Sequence, residues 1–403
     1  MNILHVIRTM DPAWGGPVEG LKNIAAQAAA SGHSLEITCL DSPQAPWLKT
    51  CDANVNAVGP GNFGKFGYTR RLDSWLAGNV NRFDVVVANG IWMYFSAAVR
   101  RAAMRAGIPY FVFTHGALDP WFKKEYPLKQ IKKQVYWNLF EHRVLRDAAA
   151  VLFTTAEEQV VSHGAHWPYK CHAKVVGYGI GDPLISKVRS IDHGETRQQL
   201  ERALPDLAGR QFLLFLARVH EKKGIDLLLQ AIARNGDNYQ EHAFVIAGPG
   251  KQSYISELKA MSVQFGLEER VIWAGPLYGE IKWAAIREAE AYVLPSHQEN
   301  FGISVAEALA CSVPVLITKK VNIWREVVSE GGGLAENDDV SGISRLLEQW
   351  SVLHPEQKLS MRSHARRCFL NHFEITKTSV NLFNTLDEMR PAHNDGTFSE
   401  CVS

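Results

Sequence analysis

Short apolar runs alternate with amphipathic helical patterns along the whole chain. In the first half, the runs with the length and composition of buried strands are residues 3–7, 35–40, 85–88, 110–113 and 150–153. In the second half they are residues 212–216, 243–247, 271–273, 291–294 and 313–317. Helical patterns lie between them, for example at 20–31, 97–106, 129–145, 225–233 and 254–265. Because helices between successive strands imply parallel sheets, the pattern predicts an α/β fold with two doubly wound, Rossmann-like domains.

A polar, poorly periodic stretch at about residues 182–210 separates the two halves. It places a first domain at residues 1–182 and a second at residues 183–373. A helical pattern at about 374–388 follows the second domain. Residues after Pro391 are polar, and we expect them to fray.

Composition and charge exclude several classes of protein. The chain has 403 residues, 46% of them apolar and 21% charged, and a net charge of +1, so no global field points to a nucleic acid partner. Its six cysteines lack Cys-x-x-Cys spacing, which fits a reducing compartment. The N-terminus has no secretory signal pattern, and no apolar run approaches a membrane span. We therefore expect a cytoplasmic protein.

The most informative segment is residues 290–317, which has the pattern strand, loop, helix, strand. Glu299 and Glu307 lie eight residues apart across the junction of loop and helix, and Phe301, Gly302 and Ile303 stand where the helix begins. Ligands of open α/β sheets bind at the carboxyl ends of strands, and a helix N-terminus suits a phosphate. The two carboxylates can accept hydrogen bonds from sugar and ribose hydroxyls. The segment therefore predicts a site for a sugar nucleotide.

Two cations follow the first strand of the second half. Arg218 and Lys223 would lie at the carboxyl end of that strand. Fixed cations there can stabilise a diphosphate leaving group without a metal. Lys222 also lies in this turn, and we expect it to be solvated.

Two positions in the first half also follow strands. Gly16, in Gly15-Gly16-Pro17, precedes the first helix, where glycine allows backbone to approach a ligand closely. His115 follows residues 110–113 and stands beside a glycine. Both are candidate site residues.

The segment around Glu299 and Glu307 resembles the Glu-x7-Glu motif of the retaining GT-B glycosyltransferases of family four. Phe-Gly lies between the acids and Val-Pro-Val follows them, and Arg218 and Lys223 match the family's Arg and Lys before Gly. The resemblance covers nearly the whole chain. It implies an N-terminal acceptor domain, a C-terminal nucleotide-sugar domain with a cleft between them, and a final helix, about 374–390, that crosses back to the first domain.

The resemblance also implies a reaction: transfer of a sugar, with retention of configuration, from a nucleotide diphosphate sugar to a hydroxyl of a glycan or lipid-linked acceptor. Such enzymes act in cell-surface polysaccharide or glycolipid biosynthesis. Glu299 would bind the donor sugar, Glu307 the ribose, and the backbone of residues 301–303 the phosphate. The implied catalytic residues are Glu299, His115, Arg218 and Lys223; the implied donor-binding residues are Gly16, Arg218, Lys223, Leu277, Glu299, Phe301, Gly302, Ile303 and Glu307; Asp119 is an acceptor-side candidate. The chain contains no Asp-x-Asp, so we expect no metal and no cofactor beyond the donor substrate.

Residues 121–147 combine basic and aromatic side chains. Such a segment can lie on an anionic membrane surface, which would place the protein peripherally on the inner face of the cell membrane. It can equally be a core-packed helix with a solvated basic face. Both interpretations stay open at the level of sequence.

Other functions compete with glycosyl transfer. A GT-B sugar-nucleotide epimerase or phosphorylase, or a non-catalytic sugar-nucleotide-binding protein, would share the same motifs. A dehydrogenase is disfavoured because no Gly-x-Gly-x-x-Gly follows residues 3–7. The sugar, the base and the acceptor are not specified by these patterns.

Overall fold

The structure is a computed structural model that describes residues 1–51, 53–121, 127–186 and 193–390. Within these residues the chain forms two parallel β-sheets, each covered by helices. The predicted α/β fold with two doubly wound domains is confirmed. The assignment of residues 1–182 to the acceptor and 183–373 to the nucleotide sugar stays a prediction.

The first sheet begins in its middle and winds outwards in both directions. Its described strands are β1 Asn2–Ile7, β2 Ser34–Cys39, β3 Asn54–Ala57, β4 Val85–Asn89, β5 Tyr110–Phe113, β6 Ala150–Phe153 and β7 Ala173–Val175. Their order is β3-β2-β1-β4-β5-β6-β7, and all neighbours are parallel. Ile7 lies level with Cys39 and Asn89, so the carboxyl ends of the central strands share one edge.

Helices cover both faces of the first sheet. Those described are α1 Gly16–Ala30, α2 Arg70–Asn79, α3 Tyr94–Ala106, α4 Pro127–Tyr136, α5 His142–Arg146 and α6 Ala156–Ser162, with a π-helical turn, Trp137–Glu141, between α4 and α5. Every residue of β4, β5 and β6 is buried. This burial explains their continuous apolar sequence, since strands covered on both faces cannot alternate apolar with polar residues.

The second sheet is also parallel and has six described strands. They are β8 Gln211–Leu216, β9 His242–Ala247, β10 Val271–Gly275, β11 Ala291–Leu294, β12 Val315–Thr318 and β13 Gly333–Glu336, in the order β10-β9-β8-β11-β12-β13. The helices that accompany it are α7 Pro183–Ser186, α8 His193–Ala203, α9 Ile225–Arg234, α10 Gln252–Gln264, α11 Gly279–Glu288, α12 Ile303–Ala310, α13 Trp324–Ser329, α14 Val340–Ser351 and α15 Pro355–Cys368. The order reverses between β8 and β11, which is where ligands bind in such sheets.

The last described helix, α16 Ile375–Glu388, leaves the second domain after a π-helical turn, Phe369–Phe373. Its buried side chains pack in one cluster with side chains of the first sheet and of α1. The cluster includes Ile3, Ile24, Val85, Phe111, Ile375, Leu382, Phe383 and Leu386. The chain therefore crosses between the domains a second time.

The structure corrects the sequence prediction in three places. Three short edge strands, β3, β7 and β13, were not predicted, because they are only three or four residues long and only partly buried. The predicted separator at about 182–210 contains helix α8. Leu200, Leu204 and Leu207 are buried in the core of the second domain, so residues 193–210 are packed structure and not only a polar separator. The final predicted strand begins at Val315 and not at Val313.

Candidate active site

The loop between β11 and α12 positions both predicted carboxylates. The strand ends at Leu294, and α12 begins at Ile303 after Gly302, whose φ of 78° is a left-handed conformation that favours glycine. The first N–H groups of a helix lack intrahelical partners and carry a partial positive charge. Glu299 therefore precedes, and Glu307 follows, a helix start suited to a phosphate.

A cavity of about 660 Å³ lies between the two domains at this helix start. Of the eleven predicted site residues, nine line it: Gly16, His115, Arg218, Leu277, Glu299, Phe301, Gly302, Ile303 and Glu307. They come from loops that follow strands of both sheets and from the starts of helices α1 and α12. The cleft thus brings together residues that are up to 291 positions apart in sequence, from Gly16 to Glu307. Their individual roles remain predictions.

Each of the two carboxylates is paired with a lysine. Lys223 donates a short hydrogen bond from Nζ to Oε2 of Glu299. Lys282 lies 2.6 Å from Oε1 of Glu307. The side chains of Glu299 and Glu307 are 22% and 12% exposed, so both face the cavity with little solvent access. Lys223 does not line the cavity, but its ion pair with Glu299 connects it to the site.

The cations at the end of β8 have different surroundings. Arg218 is exposed and lines the cavity. Lys222 was expected to be solvated, but its Nζ lies 4.6 Å from the centre of the Trp121 ring and 3.2 Å from Oε1 of Gln298. Burial lowers the pKa of Lys222 to about 8. The expectation of a solvated turn was wrong because the other domain covers this lysine.

His115 is held in an unusual backbone conformation beside the cavity. Its φ is 47°, and its ring stacks on Phe113 with a centroid distance of 4.9 Å. Its Nε2 is shielded from solvent and has no hydrogen-bond partner among the described residues. Burial, followed by the charge of nearby His5, lowers the pKa of His115 to about 3. The imidazole is therefore neutral at physiological pH and offers a polar nitrogen to a ligand.

Tyr178 connects the two helix starts of the site. Its hydroxyl donates a short hydrogen bond to the carbonyl of Gly16, the first residue of α1. Its ring meets Phe301, beside the start of α12, edge to face at 5.0 Å. The N-termini of α1 and α12 therefore face one cavity from opposite domains.

Sequence reasoning missed several residues of the site. Thr154, Tyr178, Lys282 and Asn300 also line the cavity. Asn300 could have been found, because it stands inside the motif that contains Glu299. Lys282 pairs with Glu307 from a different helix, and no local sequence pattern indicates such a contact.

Asp119, the acceptor-side candidate, lies outside the main cavity. It lines a neighbouring interdomain cavity of about 680 Å³ together with Trp121, Tyr254 and His297. Its Oδ1 accepts a hydrogen bond from the backbone N–H of Trp121 at 2.8 Å. The structure thus separates Asp119 from the residues predicted to bind the donor.

The basic and aromatic segment has two distinct faces. Trp137 is fully buried, whereas Ile131, Val135, Leu139 and Phe140 are between 50% and 63% exposed. Residues 122–126 of this segment, including Lys123 and Lys124, lie outside the described residues. None of the helices described has the length and apolar composition needed to cross a membrane. Among the described residues of this segment, the exposed apolar face is available to a partner.

No group of three or more His, Cys, Asp or Glu side chains in the described part of the chain is arranged to hold a metal ion. Whether the activity needs a metal stays a prediction.

Two protein-family models match the chain. The model for glycosyl transferase 4-like domains matches residues 15–161, and the model for glycosyl transferases group 1 matches residues 197–367. Together they cover strands β2 to β6 of the first sheet, the whole second sheet and both helix starts of the cleft.

Several relatives of the chain carry glycosyltransferase names. A GDP-mannose:cellobiosyl-diphosphopolyprenol alpha-mannosyltransferase of Xanthomonas oryzae is 24% identical over 386 residues, 93% of each chain. A D-inositol 3-phosphate glycosyltransferase of Jonesia denitrificans is 26% identical over 62% of this chain. The chain spans only 60% of the length of that relative.

Solved structures share the two-domain arrangement. The Anabaena protein HepE in complex with UDP superposes with a TM-score of 0.76 at 17% identity, over 96% of this chain and 100% of its own. A glycosyltransferase from Rickettsia africae superposes with a TM-score of 0.75 at 13% identity, over 96% and 98%. The solved structures show the GT-B fold, and the two matched family models show that the chain belongs to the group 1 glycosyltransferases.

Proposed function

We propose that this protein is a retaining glycosyltransferase that moves a sugar from a nucleotide diphosphate sugar to a hydroxyl of a glycan or lipid-linked acceptor, without a metal. One observation carries the proposal: two helix N-termini, an exposed arginine and two carboxylates from distant parts of the chain line a single interdomain cavity. Its volume of about 660 Å³ lies within the range typical of small-molecule sites.

The diphosphate of the donor would lie between the starts of α1 and α12. The free N–H groups there and the partial charge of each helix favour a phosphate. Arg218 would add a full positive charge from the cavity wall, and Lys223 a second one beside Glu299. These charges would stabilise the nucleoside diphosphate as it leaves.

The carboxylates would orient the two ends of the donor. Glu299 would accept hydrogen bonds from hydroxyls of the sugar, and Glu307, fixed by Lys282, from the ribose. The neutral imidazole of His115 would face the sugar, since its buried Nε2 otherwise lacks a partner among the described residues. Holding the sugar in one reactive orientation is a large part of catalysis by such sites.

The neighbours support the substrate classes but do not fix them. HepE was solved with UDP, and the Xanthomonas relative is named for GDP-mannose and a diphosphopolyprenol acceptor. We therefore propose a nucleotide sugar as donor, a polysaccharide or glycolipid pathway, and action at the cytoplasmic face of the membrane.

A nucleotide screen followed by an acceptor-dependent assay tests this function. Thermal unfolding would be recorded with UDP, GDP and ADP and then with their sugars, because a ligand that binds the native state raises the melting temperature. The tightest donor would then be incubated with and without candidate acceptors. Acceptor-dependent release of free nucleoside diphosphate supports a transferase. Donor isomerisation without release would indicate an epimerase, phosphate-dependent cleavage a phosphorylase, and binding without turnover a non-catalytic protein.

We expect transfer to continue at an unchanged rate in the presence of a chelator. The reason is that two helix N-termini, Arg218 and Lys223 can together supply the charge that a metal supplies elsewhere. Initial rates would be compared in EDTA alone and in EDTA with excess Mg²⁺ or Mn²⁺. Activity that is lost in EDTA and returns with either metal would contradict this part of the proposal.

We expect the protein to sediment with anionic vesicles at low salt and to be released as the salt concentration rises. Each lysine or arginine near an anionic surface contributes about 1 kcal/mol of attraction. Exposed Ile131, Val135 and Leu139, spaced four residues apart, would enter the headgroup region. Neutral vesicles should bind it poorly.

Two sets of variants separate charge from apolar contact in this experiment. Changing Lys123, Lys124, Lys132 and Lys133 to glutamate should abolish sedimentation, and changing Ile131, Val135 and Leu139 to glutamine should weaken it. Val352→Gln is the matched control, because Val352 is 70% exposed in the second domain. Equal recovery of the wild-type protein in the supernatant with and without anionic vesicles would rule out this docking and favour a soluble acceptor.

A further inference from the structure

We infer that Glu158 and Thr154 are positioning residues. They hold residues 114–116 of the first domain, here called the His115 loop, against Asn300 of the second domain, and turnover depends on this contact. The inference rests on the proposed function, because it concerns the same cleft. Neither residue has a sequence motif that marks it.

Glu158 is a buried carboxylate whose two oxygens each accept two hydrogen bonds. It is 2% exposed. Its Oε1 accepts from Oγ1 of Thr114 and the N–H of Gly116, both at 2.6 Å. Its Oε2 accepts from the N–H of Thr154 at 2.8 Å and from Oγ1 of Thr154 at 2.6 Å. One carboxylate therefore joins the loops that follow β5 and β6.

The bonds of Glu158 flank His115 on both sides. Thr114 and Gly116 are its chain neighbours, and His115 itself has a φ of 47°, a region that side-chain-bearing residues rarely occupy. Such conformations persist where surrounding contacts hold them, and they gather at functional sites. Glu158 supplies such contacts on both sides of His115 and is not among the residues that line the cavity.

Thr154 connects Glu158 to the second domain through a hydrogen bond with Asn300. Its single hydroxyl proton is donated to Glu158, which leaves its oxygen free to accept from Nδ2 of Asn300 at 3.1 Å. Asn322 lies 3.4 Å from the other end of the Asn300 amide, at Oδ1. The amide is thus held from both domains, and its orientation follows from that of Thr154.

Asn300 is the chain neighbour of Glu299, so this contact acts where the donor sugar is expected. The backbone of Glu299 is fixed by hydrogen bonds from its N–H to the carbonyl of Lys320 and from the N–H of Asn322 to its own carbonyl. Asn300 also packs against Gly116, where an added Cβ would lie 2.7 Å from Asn300. The two loops can approach this closely only because residue 116 is glycine.

The chemistry suggests which variants test this connection between the domains. Thr154→Val keeps the volume and the backbone N–H to Glu158 but removes the hydroxyl, which bonds both Asn300 and Glu158. Thr154→Ser restores that hydroxyl. Glu158→Gln keeps the shape but turns an NH₂ group towards donors, so it should disturb the His115 loop directly.

Arg325→Gln is the matched control. Arg325 makes a different contact between the domains, an ion pair with Glu157 at 2.7 Å, and is 57% exposed. Exposed ion pairs contribute little to stability. This variant should therefore leave transfer unchanged.

The test compares kcat, the KM values of donor and acceptor, the Kd of the free nucleoside diphosphate and thermal unfolding for all four variants, well below each melting temperature. We expect Thr154→Val and Glu158→Gln to lower kcat by roughly ten-fold, with the Kd of the diphosphate unchanged, and Thr154→Ser to restore kcat. A role confined to stability would change the melting temperature and not kcat. A wild-type kcat in folded Thr154→Val, a failure of Thr154→Ser to restore it, or an equal loss in Arg325→Gln would overturn the inference.

Small-angle X-ray scattering with saturating nucleoside diphosphate gives a second readout that needs no turnover. Thr154→Val should have a larger radius of gyration than the wild type and Arg325→Gln, because the domains are held less closely. If the wild-type protein transfers no sugar, the proposed function fails, and the scattering alone decides this inference. Identical scattering curves for the wild type and Thr154→Val would then overturn it.

Discussion

Replacing Glu299 with alanine is expected to lower the rate of glycosyl transfer by about 100-fold or more, because small errors in the position of a reacting group have effects of this size. The affinity for the free nucleoside diphosphate should stay the same or rise. Lys223 is paired with Glu299, and without that partner its full charge becomes available to the diphosphate. Single-turnover rates and calorimetric titration of the diphosphate would measure the two effects separately.

Glu307→Ala is the matched control for this variant. Glu307 has the same charge and lies on the same cavity, but it is paired with Lys282 and is expected to bind the ribose. Its loss should raise the KM of the donor more than it lowers kcat. If both variants transfer sugar at near wild-type rates, the assignment of these two glutamates is wrong.

Replacing Arg218 with alanine is expected to weaken binding of the free nucleoside diphosphate by roughly 10- to 100-fold, since hydrogen bonds to charged groups contribute about 1.5–3 kcal/mol. Lys223→Ala should have a similar effect and should also free Glu299 from its ion pair. The loss must appear with the diphosphate alone, because the expected contact is with phosphate and not with sugar. Calorimetric titration of UDP and GDP would measure it.

Lys222→Ala separates a specific contact from general loss of charge. Lys222 belongs to the same turn but packs on Trp121 outside the donor cavity. Its replacement should leave the affinity for the diphosphate close to that of the wild type. Wild-type affinity in both Arg218→Ala and Lys223→Ala would contradict the placement of the diphosphate.

The fold could be predicted because each strand and each helix has its own pattern of apolar and polar residues. Strands buried on both faces are continuous apolar runs, and each helix between them has its own periodicity. All ten predicted strands are present; three have the predicted ends, and the ends of the other seven are shifted by at most two residues. The edge strands β3, β7 and β13 could not be predicted in this way, because a short strand that is partly exposed has no such run.

The candidate site could be predicted where residues follow strands of the sheets or lie at the start of the next helix. Glu299, Arg218, His115 and Gly16 stand in such loops, and the structure brings them to one cavity. Lys223 stands in such a loop as well, but it reaches the site only through Glu299.

The contacts that set the charge and orientation of the site residues could not be predicted. Lys282 meets Glu307, Trp121 covers Lys222, and Thr154 meets Asn300 across 146 positions in sequence. The last two pairs depend on how the two domains face each other, and the first depends on how two helices of the second domain pack, which no local sequence pattern indicates.

The segment at 121–147 is a further case in which the local sequence pattern did not determine the structure. Its aromatic residues predicted either a membrane surface or a packed helix, and the structure has a packed face beside an exposed apolar face. Trp137 is buried, while Leu139 and Phe140 next to it are half exposed. The π-helical turn Trp137–Glu141 changes the helical period there, so residues assigned to one face by a regular α-helical pattern are redistributed.

Proton NMR of one reaction tests the central claim most directly. The protein, in EDTA, would be incubated with the α-linked nucleotide sugar that it binds most tightly and with an acceptor that supports release of the diphosphate. The anomeric signal of the first product would then be followed. The account predicts free nucleoside diphosphate together with an α-linked product. A β-linked product, or conversion of the donor to another sugar nucleotide without release of the diphosphate, would contradict it.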